Sequence, residues 1–343
     1  MADRLDRSQK LLSAMPLLDR VLTMLKRSFV ATAVTFILAG DGTQAQPLSL
    51  SSTSATTTYQ TLAVDGVKIF YREAGPRHAP TLLLLHGFPS SSRMFDTLIP
   101  LLADRYHLVA PDYPGFGQSD APPASAFAYT FDHEARVIED FIEALGLKKY
   151  VLFMQDYGGP VGFRLAVSHP ERIQAMIVQN AVAHEVGLGP IWEAREAYWK
   201  NRAALEADFI SSFTSLDACK QRHVGTSPRI ERYNPDIWAE EFAALSRPGQ
   251  SKIQADLFYD YRNNVASYPR WQAWLRQYKP PMLVVWGKYD PSFAVAGATA
   301  YAQDVPDAEV HILDAGHFAL DEAVDQIAAL MRTFLAKQKL NAS

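Results

Sequence analysis

The spacing of apolar and polar positions changes character along the chain. From Tyr59 onward, short apolar runs alternate with polar stretches of helical period. Residues 61–64 and 67–72 flank Asp65-Gly66, which predicts a β-hairpin across a tight turn. Residues 81–85 are apolar without a break, as expected of a strand buried on both faces. Residues 107–110, 150–154 and 172–178 read the same way. Helices are predicted between these strands, from Ser90 through Leu102, from Phe131 to Leu145, and again after Met154. Alternation of this kind predicts an α/β fold with a doubly wound, mostly parallel sheet.

The alternation stops over residues 183–279. This stretch is polar, aromatic and helical in period, and holds five of the six tryptophans. An all-helical insertion here would form a cap, or lid, over the carboxyl edge of the sheet. Strands return at 281–287 and 309–313, and a last helix is predicted from 321 to 337. The expected organisation is a first core part over 59–182, a helical cap over 183–279 and a second core part over 280–340.

The beginning of the chain differs again. Lys26-Arg27 precede an apolar run over 29–39, and a small residue, Ala45, follows. That order reads as a secretory signal within residues 1–45, with Met24 an alternative start, and implies export to the periplasm or beyond. The run is shorter than the roughly 20 residues a bilayer span needs. Lys26-Arg27-Ser28-Phe29 is also similar to a twin-arginine signal, with lysine in the first place. An amphipathic N-terminal anchor is the other reading. Residues 46–58 are a Ser/Thr-rich linker.

Composition narrows the function. A hydrophobic share of 48% supports a sizeable core, and a net charge of -4 without a basic run argues against nucleic-acid binding. The single cysteine, Cys219, can form no internal disulfide and belongs to no zinc-ligand spacing. No metal cluster is legible, and His169 reads as a surface or capping residue.

Three acid–base residues stand just past the carboxyl ends of predicted strands, where open parallel sheets place their sites. They are Asp156 in Gln155-Asp156-Tyr157-Gly158-Gly159, Asp290 in Tyr289-Asp290-Pro291-Ser292-Phe293, and His317 in Gly316-His317-Phe318. Asp156 alone could be a helix N-cap. In the order nucleophile, acid, base, the three match a triad whose corner residue sits on a strained strand-to-helix turn. A carboxylate is already ionised at pH 7, so it can attack an electrophilic sp3 carbon and form an ester. His317, oriented by Asp290, would then activate water against that ester. The strand over 81–85 ends in His86-Gly87-Phe88-Pro89. From there the Phe88 N–H, together with that of Tyr157, would form the oxyanion hole.

These motifs in this order resemble the α/β-hydrolases of the epoxide hydrolase and haloalkane dehalogenase group, over residues 59 to 340. The resemblance implies a cap domain, no cofactor, and roles as nucleophile, acid and base for Asp156, Asp290 and His317. It also implies a small apolar organic substrate and water as the reaction partners. Haloalkane dehalogenases usually carry tryptophan after the nucleophile and often asparagine after His-Gly; Tyr157 and Phe88 stand there. Fluoroacetate-type dehalogenases carry arginines beside the nucleophile, where this chain has Tyr157 and Pro160. Epoxide hydrolases use cap tyrosines to grip the epoxide oxygen. By resemblance one role falls on Tyr261 in Tyr261-Arg262-Asn263, and the second on Tyr198. Epoxide hydrolysis is the leading expectation. Carbon–halogen hydrolysis, or a non-catalytic binding protein on the same scaffold, is the alternative.

If the leader reading is right, the mature protein from its native host begins near Gln46. N-terminal sequencing of the exported fraction checks this, and intact leader peptides in the cytoplasmic fraction would overturn it.

Overall fold

The computed structural model describes residues 56–342, so the expected leader and nearly all of the linker lie outside the described residues. What is described belongs to one compact unit. Strands β1 (Thr58–Val64) and β2 (Val67–Ala74) form the expected hairpin, with Val64 opposite Val67. Asp65 and Gly66 take φ of 48° and 77°, the double positive φ that a two-residue hairpin turn demands. The other strands are β3 (Thr81–Leu85), β4 (His107–Pro111), β5 (Tyr150–Gln155), β6 (Ile173–Gln179), β7 (Met282–Gly287) and β8 (Glu309–Leu313). They complete an eight-stranded sheet of order β1-β2-β4-β3-β5-β6-β7-β8. From β4 to β8 every neighbouring pair is parallel, and β2 joins β4 antiparallel.

This order decides where a site can form. After β3 the chain crosses to β4 on one side, and β5 then returns to pair with β3 on the other. Strand order reverses between β3 and β5, and the two loops leaving their carboxyl ends diverge, opening a crevice. The His86-Gly87-Phe88 loop and Asp156 are those loops.

Helices cover both faces. Helices α1 (Phe131–Ala144), α2 (Gly158–Ser168) and a later helix over Ala296–Asp304 bury their apolar stripes in one core, together with cap side chains. The terminal helix over Leu320–Ala336 seals the other face through Ile327, Met331 and Phe334. The helix expected from Ser90 to Leu102 is instead two short 3-10 turns, Ser92–Phe95 and Ile99–Leu101. Pro100 explains the break: it donates no N–H, and its ring would collide with the carbonyl of Asp96 in a continuous helix.

Between β6 and β7 lie five cap helices: α3 (Trp192–Lys200), α4 (Arg202–Phe213), α5 (Leu216–Val224), α6 (Pro235–Leu245) and α7 (Gln250–Tyr278). The final two helices are thus α8 (Ala296–Asp304) and α9 (Leu320–Ala336). No helix of the described residues is long and apolar enough to cross a membrane. The cap is tied to the core by named bonds. Asp260 accepts from the Phe131 N–H at 2.8 Å, and Trp192 Nε1 donates to the Ser292 carbonyl at 2.8 Å. Cys219 is buried within the cap, and burial pushes its thiol up to about 12, so it is inert at neutral pH.

One tie is ionic. His223 of α5 is buried, with Nδ1 2.6 Å from Asp321 of α9 and Nε2 2.9 Å from Glu241 of α6. Burial alone would push this imidazole down, but the two carboxylates outweigh it and raise the pKa to about 10. A folded-state pKa above the unfolded value near 6.5 stabilises the fold fully below about pH 6.5, and that contribution is lost as pH rises toward 10. Thermal unfolding should therefore show Tm falling between pH 7 and 10. His223→Gln should start from a lower Tm and fall less; the same slope in both proteins would refute the assignment.

Candidate active site

Strand β5 is buried from end to end and stops at Gln155; α2 begins at Gly158. The chain turns between them at Asp156, which holds a φ of 46°. That conformation costs a non-glycine residue about 1–3 kcal/mol and persists only where its surroundings enforce it. The enforcement is visible in two glycines. A Cβ on Gly158 would run into the Leu85 carbonyl, and one on Gly162 into the Met154 thioether. Without side chains at these positions α2 lies directly against β3 and β5, and the corner is forced.

Asp156 is not a helix cap. Tyr157 occupies the cap position of α2, and the Asp156 side chain instead faces the loop after β3. Its Oδ1 accepts from the Phe88 N–H at 2.9 Å, and the Tyr157 N–H also favours its ionised form. Burial raises the Asp156 pKa above the usual carboxylate range; His317, the two N–H groups and Arg195 oppose this and offset it in part. His86 braces the Phe88 loop. Its Nε2 accepts from the Tyr113 N–H at 3.3 Å, which leaves the proton on Nδ1, 3.1 Å from the Gly87 carbonyl. Burial drives the His86 pKa down to about 3, so the ring is neutral.

Asp290 and His317 arrive from the ends of β7 and β8. Their contact is short, Nδ1 to Oδ2 at 2.7 Å, and both side chains are buried. Asp290 is fixed by three further donors: Asn180 Nδ2 at 2.8 Å, and the N–H groups of Ser292 and Phe293 at 2.6 and 3.0 Å. His317 Nε2 then stands 3.7 Å from Asp156 Oδ2 and 3.0 Å from Gln155 Nε2. With the proton on Nδ1 toward Asp290, the Nε2 lone pair accepts from Gln155 Nε2 while Nε2 borders Asp156 Oδ2, so a water activated there takes the place of Gln155. A base positioned beside a carboxylate in this way can activate a water molecule that lies between them.

Asp156 and His317 line a small, narrow cavity beneath the cap. Phe88, Tyr157, Trp192, Phe213 and Phe258 supply aromatic walls. Wider clefts elsewhere, such as the one beside Arg93 and Glu240, contain neither residue. Tyr261 lines the cavity as expected. Its buried hydroxyl makes no hydrogen bond of good geometry. Burial, then the nearby Tyr268, raises its pKa well above the usual value. Tyr198 is placed elsewhere, which corrects the sequence expectation: it is absent from the cavity wall, and its hydroxyl donates to the Ala255 carbonyl at 3.0 Å. The Tyr198 ring stacks on Phe209 and serves the cap interior. The Tyr157 hydroxyl, by contrast, is buried and unpartnered in a side chain that does line the cavity.

Sequence reasoning missed four polar residues. Asn180 and Gln155 orient the acid and the base, and each is a polar residue ending an otherwise buried strand, which was a usable signal. The others are Arg195 of α3 and Arg222 of α5, both lining the cavity and 6% and 7% exposed. Arg195 lies three residues after Trp192 and three before Tyr198, on the buried stripe of its helix. Its guanidinium sits over the Trp192 ring at 4.0 Å, and that of Arg222 over Phe213 at 4.3 Å and Phe88 at 4.5 Å. Arg195 Nε and Arg222 Nη1 have no hydrogen-bond partner among the described residues. Neither guanidinium lies within 4.0 Å of a carboxylate there. Burial lowers both pKa values, that of Arg222 to about 10, so both are cationic at neutral pH. Cation–π contact returns about 0.5–2 kcal/mol against the several that burying an ion costs. These cations are incompletely matched within the protein.

Comparison with known proteins agrees with this architecture. Over 270 residues the chain is 43% identical to an uncharacterized hydrolase of Saccharomyces cerevisiae, spanning 77% of this chain and 92% of that one. It is 26% identical over 291 residues to a cis-3-alkyl-4-alkyloxetan-2-one decarboxylase of Shewanella oneidensis, covering 80% and 87% of the two chains. The crystal structure of a haloalkane dehalogenase from Bradyrhizobium elkani superposes with a TM-score of 0.67 at 24% identity, over 82% of this chain and all of that one. Residues 80–324 match the family described as alpha/beta hydrolase fold. With its sheet order, strained corner and inserted cap, the chain belongs to that family and is a hydrolase of the alpha/beta fold.

Proposed function

We propose that the protein opens an epoxide to a diol through an ester on Asp156. The observation that carries this reading is a carboxylate at the strand-to-helix corner, 3.7 Å from an imidazole that Asp290 orients. A serine there would need His317 to remove its proton; a carboxylate does not.

In the first step Asp156 Oδ2 attacks an epoxide carbon, and the ring C–O bond breaks. The electron pair stays on the epoxide oxygen, which takes a proton from Tyr261. In the second step His317 Nε2 takes a proton from water while the water oxygen adds to the Asp156 carbonyl carbon. Oδ1, already bonded to the Phe88 N–H, carries the resulting negative charge. The ester C–O bond then breaks, and the departing alkoxide takes the proton of the hydroxyl just added to Asp156. The diol leaves with Asp156 again a carboxylate, and the proton on His317 returns to the tyrosinate. Asp290 stabilises the imidazolium in between.

The Tyr261 side chain on the cavity wall, with the Tyr268 hydroxyl as its neighbour, supports an epoxide over a halide. Alkoxide is a poor leaving group that needs a proton, whereas a halide needs only N–H or O–H dipoles. Trp192, the one tryptophan on the cavity wall, spends its Nε1–H on the Ser292 carbonyl. Carbon–halogen hydrolysis by the same ester chemistry is therefore the second reading.

Replacing His317 by Gln should leave alkylation possible and stop ester hydrolysis, so the Asp156 peptide gains the substrate mass. A single wild-type turnover in heavy-oxygen water should label Asp156; label in the product alone would mean direct attack by water and a different mechanism.

Tyr261→Phe should slow alkylation about 10²-fold or more, with ester hydrolysis little changed. Stopped-flow or quench measurement of the two steps separates these. Unchanged alkylation would remove Tyr261 from the proton-donor role, and wild-type activity on halides with none on epoxides would reverse the choice of substrate.

A further inference from the structure

Two buried arginines with no carboxylate in contact among the described residues are out of place in a cavity meant for a neutral, apolar molecule. We propose that the substrate carries a carboxylate, which Arg195 and Arg222 grip while its reactive carbon faces Asp156. The proposal rests on the reading of Asp156 given above and specifies the class of molecule it acts on.

Three observations converge on it. Arg195 comes from α3 and Arg222 from α5, yet both guanidinium groups reach the same small cavity as Asp156 and His317. Neither is held by an acid: Arg195 lies on Trp192, and Arg222 lies against Phe88 and Phe213 while its Nη2 donates to the Phe213 carbonyl at 2.7 Å. Stacking on a ring face leaves the in-plane N–H edge of a guanidinium available, and Arg195 Nε and Arg222 Nη1 are both buried and unpartnered. Two planar cations that each keep an unpartnered nitrogen are suited to a carboxylate, which accepts through two oxygens. The cavity is small and walled by aromatic rings, which favours a short acid.

Charge accounting points the same way. Arg195 partly balances Asp156, whose pKa it lowers. Alkylation converts Asp156 to a neutral ester and removes that balance. A carboxylate on the substrate keeps a negative charge against the arginines while the ester exists. The cradle would also orient the substrate, since fixing the acid end leaves only nearby carbons within reach of Oδ2.

The test compares an oxirane carboxylate with its primary amide, which has nearly the same shape and no charge. With the wild-type protein the acid should be turned over with kcat/KM at least about 10²-fold above the amide, mostly through KM, the scale of two charge-assisted contacts. Arg195→Gln and Arg222→Gln should each raise KM for the acid about tenfold or more and lower the acid-to-amide ratio of kcat/KM by a similar factor.

A second measurement reads binding without chemistry. Acetate and propionate should raise the Tm of the wild type saturably at constant ionic strength, while acetamide and propanamide should not, and each arginine variant should lose the effect. In Asp156→Asn the carboxylates should bind as well or better, because the competing negative charge has gone. Equal turnover of acid and amide, or carboxylate stabilisation that survives in the arginine variants, would overturn the anion cradle and leave the hydrolase reading in place. Specific carboxylate binding with no epoxide, charged or neutral, ever adding mass to Asp156 would do the reverse.

Discussion

A helix pressed against two strands sets the geometry of this molecule. Gly158 and Gly162 let α2 lie on Leu85 and Met154 with no side chain between, and the chain can enter that helix from β5 only through a positive φ at Asp156. The same approach brings Asp156 beside the loop after β3, so that the Phe88 N–H meets Oδ1. Strain at one residue is thus tied to the packing of three elements, and local relaxation is blocked because it would separate them. Had a larger residue stood at Gly158, the corner, the oxyanion donors and the distance to His317 would all shift together.

Once the corner is fixed, the site is a problem of buried charge. Asp290 is surrounded by four donors and His86 is kept neutral, so those groups are settled within the protein. Asp156 is not: burial raises its pKa while His317 and the neighbouring N–H groups pull the other way. Such partial settlement suits the nucleophile proposed here, since a carboxylate with every lone pair engaged would attack poorly. The two arginines are in a comparable state, stacked on aromatic faces but short of partners.

The cap contributes more than cover. It supplies Arg195, Arg222, Tyr261 and most of the aromatic wall, so the cavity does not exist until α3 to α7 dock on the core. Part of that docking is the buried His223–Asp321 contact, one residue from Arg222 in the chain. His223 also stacks on Phe318, the neighbour of His317, with ring centroids 4.2 Å apart. Cap position, cation placement and the His317 imidazole therefore share one set of contacts.

Much of this was legible along the chain because it depends on local chemistry. Continuous apolar runs mark strands buried on two faces, Asp65-Gly66 marks a turn, and Gly158-Gly159 after a buried strand marks a tight corner. The order of Asp156, Asp290 and His317 past three strand ends marks one edge of a sheet. Local sequence failed at 90–102, where a helical reading neglected the lost N–H of Pro100. The cap was legible only as helices. Whether an aromatic or charged side chain on a helix faces a cavity or its neighbours depends on how that helix is rotated and docked, which residues distant in sequence decide. For that reason Tyr198 and Tyr261 were alike as cap tyrosines, yet one bonds the Ala255 carbonyl and the other reaches the cavity. For the same reason Arg195 and Arg222, 27 positions apart, carried no sign of meeting. The sequence by itself determined the hydrolase scaffold and the three acid–base positions; tertiary packing alone decided which cap residues line the cavity and what charge they bring to it.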